Sequence, residues 1–406
     1  LLKFLLKPVT NIDKVGHMTL IKRNGKSRLC LAAALLPIVF SASCEAKQLT
    51  RPTKAQHPTV TSGPQVEQLD RGLIAVPTKY GNYLSWRLLA RDPETVSFDV
   101  YRNGQKINHS KLTDVTSCVD EQGTASDRYQ VKAFYSRQHN RLQPPVGGTG
   151  VSDKVTPWTM PYLSVPLVKP EDGWIKGQTY SYSANDTSVA DLDGDGQYEI
   201  LVKWYPSNAK DNSQAGDTGP TLIDAYTLEG EQLWRIDLGP NIRSGAHYTQ
   251  FIAYDFDGDG RAELAMKTAD GSVDGEGQII GDATADYRND AGYILSGPEY
   301  LTMFDGLTGK ALDTIDYEPA RGDVNSWGDG YGNRVDRFLA GVAYLDGSKP
   351  SLFMARGYYT RAVIAAYDWE AGQFQRRWVF DTDNGGADAL AYGQGAHSVT
   401  VGDVDN

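Results

Sequence analysis

Short runs in which apolar and polar residues alternate mark the chain from about residue 80 onward. Three of these runs, at residues 83–89, 96–102 and 129–134, have the two-residue period of half-buried β-strands. The dipeptide Asn103-Gly104 follows the second run and favours the tight turn of a hairpin that leads into a further short strand. The pattern predicts a compact unit of short antiparallel strands.

Beyond about residue 175 the alternation becomes looser, and two kinds of hairpin take turns. One kind carries an Asp-rich loop between two apolar runs, and the other spans residues 222–234, 301–312 and 363–372. One hairpin of each kind makes a four-stranded unit, as in a blade of a β-propeller. No stretch shows sustained helical periodicity. We therefore expect an all-β protein, with a fibronectin type III-like sandwich over residues 66–150 and part of a β-propeller over residues 151–406.

The repeat is longer than in most propellers. The two complete Asp-rich loops begin at Asp191 and Asp255, 64 residues apart, whereas common blades repeat every ~40–50 residues. The surplus falls in residues 206–220 and 269–298, which are rich in Gly, Asp and Asn. Long loops of this kind are usually functional, so these segments are predicted to be functional loops.

The two Asp-rich loops have identical spacing, and a third begins at the end of the chain. Closely spaced carboxylates repel one another unless a cation lies among them, and oxygen ligands at this density suit calcium. An EF-hand is excluded, because position 12 of each loop is apolar. The alternative is an Asp-Gly hairpin turn without metal. The predicted ligands, with the seventh residue offering its backbone carbonyl, are Asp191, Asp193, Asp195, Gln197, Glu199, Asp255, Asp257, Asp259, Arg261, Glu263, Asp403 and Asp405.

Composition narrows the function classes. The length of 406 residues allows two or three domains of roughly 100–200 residues each. A formal net charge of −11 and the lack of a basic run argue against a nucleic-acid partner. Much of this charge lies in the Asp-rich loops, so the calcium-loaded protein would be closer to neutral.

The first 65 residues predict export. Residues 1–17 precede the first methionine and are interpreted as an over-extended reading of the gene. Residues 18–46 have the basic start and short apolar run of a secretory signal peptide, and that run is too short for the ~20 residues of a membrane span. Cys44 resembles a bacterial lipoprotein acceptor, so a lipid anchor is a second hypothesis. Residues 47–65 are predicted to be a linker. We expect a secreted protein, or a periplasmic or outer-surface protein, of a bacterium.

Seven longer strings of the chain carry a joint resemblance; they are residues 208–213, 233–239, 245–251, 267–271, 321–329, 331–347 and 356–361. Together they resemble one family, the bacterial rhamnogalacturonan lyases of polysaccharide lyase family eleven. The resemblance covers residues 66–406, and it implies an eight-bladed, calcium-binding propeller that cleaves the rhamnogalacturonan I backbone of pectin by β-elimination at galacturonosyl residues. It also implies that this chain holds only part of the ring, with the catalytic base beyond Asn406. Where the family pattern has Lys-Trp-Asp-Pro, residues 203–206 read Lys-Trp-Tyr-Pro.

Residues that could contact an acidic sugar cluster in the same part of the chain. His247 and His397 both follow Gly-Ala and precede a strand that leads to an Asp-rich loop. A single His is more often structural, but the matched setting favours a substrate-facing role. Arg and Lys could bind uronate, and aromatic rings could stack on sugars, although the same side chains could be buried inside a blade. These further candidates are Arg356, Tyr358, Tyr359, Arg361, Lys203, Lys267 and Trp327.

Two other classes stay open at this point. Integrin-type repeats use similar Asp-rich hairpins, so a non-catalytic, calcium-dependent carbohydrate-binding or adhesion propeller is one alternative. A structural domain of a larger surface assembly is the other. The convergent His, Arg and Tyr residues favour an enzyme that acts as a monomer on rhamnogalacturonan I, with calcium as its cofactor. Whether cleavage is internal or from chain ends is left open.

Overall fold

The computed structural model describes residues 64–135, 150–386, 388–394 and 397–402. The described residues up to Val401 belong to one compact unit. The predicted leader and linker, apart from its last two residues, lie outside the described residues, and so do Asp403 and Asp405. The fold is all-β, as expected. Among the described residues the helices are short 3-10 turns such as Val324–Trp327 and Asp388–Ala391, and none has the length and apolarity of a membrane-crossing helix.

The N-terminal part contains six strands in two antiparallel three-stranded sheets, ordered β1-β2-β5 and β4-β3-β6. The strands are β1 Ile74–Thr78, β2 Gly81–Ser85, β3 Ser97–Arg102, β4 Gln105–Lys106, β5 Ser117–Asp120 and β6 Tyr129–Phe134. Leu84, Phe98 and Val131 are fully or almost fully buried in one shared core. Asn103 and Gly104 have φ of 52° and 82°, as a two-residue hairpin turn of this type requires. The predicted hairpin is therefore confirmed.

Sixteen further strands follow in the described part of the chain beyond residue 150. They are β7 Gly173–Ile175, β8 Gln178–Tyr180, β9 Tyr182–Ala190, β10 Glu199–Pro206, β11 Leu222–Tyr226, β12 Gln232–Asp237, β13 Phe251–Tyr254, β14 Glu263–Ala269, β15 Ser272–Val273, β16 Ile279–Ile280, β17 Glu299–Phe304, β18 Ala311–Asp316, β19 Phe338–Ala343, β20 Ser351–Arg356, β21 Val363–Glu370 and β22 Gln373–Asp381.

Three antiparallel meanders dominate this part of the molecule. Their orders are β9-β10-β11-β12, β13-β14-β17-β18 and β19-β20-β21-β22, so the predicted four-stranded units are confirmed. The hairpin β15-β16 extends the first meander, because Asp237 of β12 pairs with Val273. The prediction of one long loop over residues 269–298 is wrong at this point, since strands of two residues are too short to show a period in the sequence.

Neighbouring meanders pack through their faces. Ile223 and Leu264 meet in one buried cluster, and Met303 and Leu352 meet in the next. Burying each such side chain contributes about 1.5–3 kcal/mol, so these two clusters hold the sheets together. Strand β13 contacts both β9 and β19. The first strands of the three meanders therefore lie side by side, and their ends form two opposite faces.

The N-terminal sheets are tied to the meanders by residues 65–70, here called the strap. The Gln65 side-chain amide donates to the Asp255 and Phe256 carbonyls, at 3.3 and 3.0 Å. The Asp70 amide donates to the Gly196 carbonyl at 2.9 Å, and Arg87 donates to the same oxygen at 3.0 Å. Gln65, the last residue of the predicted linker, is thus fixed on the second Asp-rich loop.

Candidate functional site

The first Asp-rich loop joins β9 to β10, and hydrogen bonds from its own backbone amides fix its acidic side chains. The two Asp191 oxygens accept the amides of Gly194 and Gly196, at 2.7 and 2.8 Å. Glu199 accepts the amide of Leu192 at 2.7 Å and closes the loop. Gly194 and Gly196 have φ of 83° and 89°, a region that disfavours residues with a side chain. This is why glycine occupies the positions between the acids.

The second loop, between β13 and β14, repeats these contacts. Asp255 accepts the amides of Gly258 and Gly260, at 2.6 and 3.0 Å, and Glu263 accepts the amide of Phe256 at 2.9 Å. Two loops 64 residues apart in the sequence thus have one geometry. The shared spacing reflects a shared structure, not a coincidence of composition.

Both loops gather oxygen atoms closely enough for one cation each. Carboxylate oxygens within 4.8 Å of one another come from Asp191, Asp193 and Glu199 in the first loop, and from Asp255, Asp257 and Asp259 in the second. This donor set fits a hard divalent cation. The Arg261 side chain donates to the Asp193 carbonyl at 3.1 Å, which ties the two loops together. Metal contacts by the Gln197 and Arg261 carbonyls, and by the Asp195 and Glu263 carboxylates, stay predictions.

The electrostatics of the loops favour a bound cation. Burial, assisted by the neighbouring carboxylates, raises the pKa of Asp191 and of Asp255 to about 7. The same causes raise the pKa of Glu199 to about 8 and that of Glu263 to about 9. Ordinary carboxyl groups have a pKa near 4. These acids would ionise readily only with a cation between them.

A second cluster lies at the starts of β13 and β19, at the end of the sheets away from the Asp-rich loops. His247 precedes β13 and Arg337 precedes β19, and the Phe338 amide donates to the His247 carbonyl at 3.2 Å. Arg337 Nη1 lies 2.7 Å from His247 Nε2, and Arg337 Nη2 donates to the Tyr358 hydroxyl at 3.1 Å. Asp211 Oδ2 lies 3.6 Å from the same imidazole nitrogen. We call His247, Arg337, Tyr358, Tyr359 and His397 the His–Arg–Tyr cluster.

Tyr359 and His397 complete this cluster on its exposed side. The Tyr359 hydroxyl lies 2.6 Å from His397 Nε2, and the ring centroids of Tyr358 and Tyr359 are 4.3 Å apart. Tyr359 is 47% exposed, whereas Tyr358 is 4% exposed. Tyr359 also has a φ of 62°, which is strained for a bulky residue and is typical of functional positions.

Arg337 is the member that the sequence did not single out. Arg334 and Arg337 flank Asp336 in the sequence, a setting that favours structural ion pairs. The structure instead pairs Asp336 with Arg356 and turns Arg337 toward His247. The two histidines, Tyr358 and Tyr359 were predicted as candidates, and the structure brings these four together. A signal for Arg337 was present in the string 331–347, but nothing in its spacing pointed to a histidine 90 residues away.

Three other candidates are interior residues, which favours the structural alternative over contact with a sugar. Arg356, Lys267 and Trp327 are 1%, 4% and 0% exposed. Arg356 and Lys267 both bind Glu299, at 2.7 and 2.9 Å. The Trp327 indole donates to the Arg321 carbonyl at 2.8 Å. Their charges and rings pack in the interior and stabilise the fold there.

Arg361 and Lys203 take intermediate positions. Arg361 forms two bonds with Asp381, at 3.0 and 2.6 Å, and its side chain is 22% exposed. Lys203 is nearly buried but pairs with Asp186, whose side chain is 64% exposed. Neither joins the His–Arg–Tyr cluster through a direct bond that the described residues show.

The His247 ring should titrate below its ordinary pKa of about 6.5. Burial lowers the pKa of His247, the Arg337 charge lowers it further, and Asp211 opposes both. Because the folded-state pKa is depressed, its contribution to stability is present above pH ~6.5 and is lost as the pH falls through the folded value. Histidine NMR against pH, assigned with His247→Gln, measures the midpoint. Arg337→Gln should raise it, and a midpoint of 6.5 or more in the unaltered protein would refute this assignment.

Two family models match the chain. The model of the rhamnogalacturonan lyase family 11 C-terminal domain matches residues 162–406. The model of the rhamnogalacturonan I lyase β-sheet domain matches residues 64–147. The chain therefore belongs to rhamnogalacturonan lyase family 11, and the resemblance drawn from the sequence is confirmed.

Two curated relatives come from Bacillus subtilis (strain 168). The rhamnogalacturonan exolyase YesX is 57% identical over 342 residues, which are 84% of this chain and 54% of that protein. The rhamnogalacturonan endolyase YesW is 55% identical over 342 residues, 84% of this chain and 53% of that protein. The chain thus spans about half the length of these relatives. Its similarity to an exolyase and to an endolyase is nearly equal.

Solved structures agree with the fold. The crystal structure of exotype YesX has a TM-score of 0.78 at 56% identity, over 85% of this chain and 56% of that one. The Bacillus licheniformis rhamnogalacturonan lyase PL11 has a TM-score of 0.77 at 57% identity, over 84% of this chain and 57% of that one. The described sheets are thus those of an all-β lyase family.

Proposed function

We propose that the protein is a rhamnogalacturonan I lyase, and that the His–Arg–Tyr cluster is the part of its active site that this chain supplies. The observation that carries the proposal is the exposed, strained Tyr359, which contacts His397 directly and reaches the Arg337–His247 pair through Tyr358. We also propose that the three meanders are blades of a calcium-binding propeller, that the N-terminal sheets are its fibronectin type III-like companion, and that the protein is exported.

β-Elimination sets three requirements. A base removes the proton at C5 of a galacturonosyl unit, the C4–O bond breaks, and a proton must reach the leaving oxygen as the C4–C5 double bond forms. The charge that develops beside C5 spreads into the uronate carboxylate, so a fixed positive charge there lowers the barrier. Calcium supplies such charge when it is bound, and it lets an acidic protein hold an acidic polymer.

The cluster contains groups for two of these tasks. The Arg337 guanidinium places a positive charge where a uronate carboxylate could lie. Since Arg337 donates to His247 Nε2, the imidazole is neutral and fixes the direction of the guanidinium. The Tyr359 hydroxyl is the exposed proton donor, and His397 can restore its proton after transfer. We assign Tyr359 to protonation of the C4 oxygen; the base that takes the C5 proton is not assigned to any residue described here.

Tyr359→Phe removes only the hydroxyl and should leave the fold intact. It should slow the formation of unsaturated products from rhamnogalacturonan I by about 10²-fold, as expected for a lost general acid. The assay follows the ultraviolet absorbance of unsaturated uronate with the product of the full-length gene. Tyr331→Phe is the matched control, because Tyr331 is 41% exposed and lies outside the cluster. A Tyr359→Phe rate within twofold of the unaltered protein would exclude this role. Polymer binding without cleavage by the unaltered protein would favour the carbohydrate-binding alternative.

A further inference from the structure

Residues 211–216 form the middle of the long segment between β10 and β11, and they lie around the side chain of Arg243. Arg243 Nη1 donates to the Asp211 carbonyl at 3.4 Å. Arg243 Nη2 donates to the Gly216 carbonyl at 3.0 Å and also to the Gln214 carbonyl. One guanidinium thus binds three backbone carbonyls of this loop, and it fixes the loop from the inside.

Arg243 is buried without a carboxylate partner. It is 3% exposed, and it forms no ion pair that the described residues show. Buried guanidinium groups are usually paired with an acid, because an uncompensated charge is costly to bury. Here carbonyl oxygens and the Tyr293 ring, whose centroid lies 4.5 Å from the guanidinium carbon, take the place of the acid. This costly arrangement indicates that the bonds to the loop are the role of Arg243.

Arg243 also holds the segment that leads into β13. Its Nη1 donates to the Tyr248 hydroxyl at 2.6 Å. The same segment contacts the loop through its backbone, since the Lys210 amide donates to the Ser244 carbonyl at 2.9 Å. Gly245 allows this close approach, because a Cβ there would lie 2.0 Å from the Lys210 carbonyl. One side chain thus joins the loop to the segment that precedes β13.

These two segments bring the side chains of Asp211 and His247 together. Asp211 Oδ1 accepts the Ser213 amide at 3.0 Å and the Ser213 hydroxyl at 2.7 Å. Asp211 Oδ2 lies 3.6 Å from His247 Nε2, the nitrogen that Arg337 also contacts. The position of the loop therefore sets how close a negative charge lies to the His–Arg–Tyr cluster.

We propose that Arg243 is a positioning residue of the His–Arg–Tyr cluster, because it holds residues 211–216 so that the Asp211 carboxylate stays beside His247. Arg243 forms no bond to a member of the cluster that the described residues show. It acts through the loop on one side and through Tyr248 on the other. That the cluster meets a sugar rests on the proposed function, whereas the positioning of Asp211 does not.

The titration of His247 reports the distance of Asp211. Burial lowers the pKa of His247, and the Asp211 carboxylate raises it. A loop that moves away should therefore lower the midpoint that histidine NMR measures. The other charges that act on this imidazole all lower its pKa, and they are those of Arg337, His397 and Lys203.

Arg243→Lys keeps the positive charge, but a single ammonium group cannot bind all four oxygens in the geometry of the guanidinium. It should lower the His247 midpoint, and Asp211→Asn should lower it as well. The double variant should match Asp211→Asn alone, because Arg243 acts through Asp211. Arg235→Lys is the matched control and should leave the midpoint unchanged, since Arg235 pairs with Asp224.

An unchanged midpoint in Arg243→Lys, or a further shift when it is combined with Asp211→Asn, would overturn the proposal. An equal shift in Arg235→Lys would also overturn it, because the shift would then reflect a general loss of stability. Tyr248→Phe removes one of the four bonds and keeps the ring, so it should shift the midpoint downward by less. If Arg243→Lys does not fold, this variant decides: a downward shift supports the proposal, and no shift overturns it.

Turnover of rhamnogalacturonan I by the product of the full-length gene is a separate readout. Arg243→Lys and Asp211→Asn should each lower kcat/KM by about tenfold, as expected when groups of an active site are misplaced. Values within twofold of the unaltered protein would overturn a role of Arg243 in the reaction. No lyase activity in the unaltered protein would refute the proposed function, while the His247 midpoints would still decide whether Arg243 positions Asp211.

Discussion

Replacing Glu299 by glutamine should lower the free energy of unfolding by about 3–5 kcal/mol, the usual effect of breaking a buried ion pair from one side. Glu299 is the common partner of Lys267, Arg321 and Arg356, all buried. Although burial alone would raise it, these three cations hold the pKa of Glu299 far below its usual range. A neutral amide would leave the three positive charges with Asp336 as the remaining nearby anion.

Chemical denaturation with a matched variant tests this expectation. Glu276→Gln removes the same charge from an exposed pair with Lys310, whose side chains are 44% and 53% exposed. Exposed pairs contribute about 0–1 kcal/mol, so this control should change the unfolding midpoint little. If the two variants lost equal stability, the interior network would not have the structural role assigned to it.

Removal of divalent cations should also lower the free energy of unfolding. A ligand that binds only the folded state adds ~2.7 kcal/mol per site at a hundredfold excess over its dissociation constant. Two sites formed by the loops at residues 191–199 and 255–263 would therefore contribute about 5 kcal/mol together. Calcium should restore the melting temperature after chelation, and magnesium should do so poorly, because it demands a tighter octahedral geometry.

Without divalent cations, the stability of the protein should also depend on pH, and it should fall as the pH rises. The pKa values of Asp191 and Asp255 are raised to about 7 and that of Glu263 to about 9. A raised pKa contributes stability that is present below the unfolded value of about 4 and is lost as the pH rises through the folded values. Melting temperature should thus fall between pH 4 and 9 without calcium, and far less with it. Asp255→Asn should weaken the calcium response and Asp290→Asn, in an exposed loop, should not; identical melting with and without chelator would refute the metal sites.

The strands and loops with a strong local signal were predictable from the sequence. Residues 129–134 form β6 with the predicted bounds, and the Asp-rich loops lie between paired strands as expected. Local spacing fixes such features, because alternation and glycine placement act over a few residues. The signal for β15 and β16 was too short to recognise.

Contacts between distant segments were not predictable. Arg356 meets Glu299 across 57 positions, and Glu299 shows no local feature that separates it from an exposed strand residue. For the same reason Trp327 was predicted as a sugar platform, although it packs in the interior. Long-range packing decides which of several Arg, Lys and aromatic residues face solvent, and a single sequence does not contain that information.

We have proposed that the His–Arg–Tyr cluster belongs to a rhamnogalacturonan I lyase. Mass spectrometry of the oligosaccharides released by the product of the full-length gene, in calcium buffer, tests it most directly. We expect products with an unsaturated uronate at the new non-reducing end. These products should be lost in Tyr359→Phe but not in Tyr331→Phe. Saturated ends, which hydrolysis would leave, or unsaturated products formed equally well by Tyr359→Phe, would contradict it.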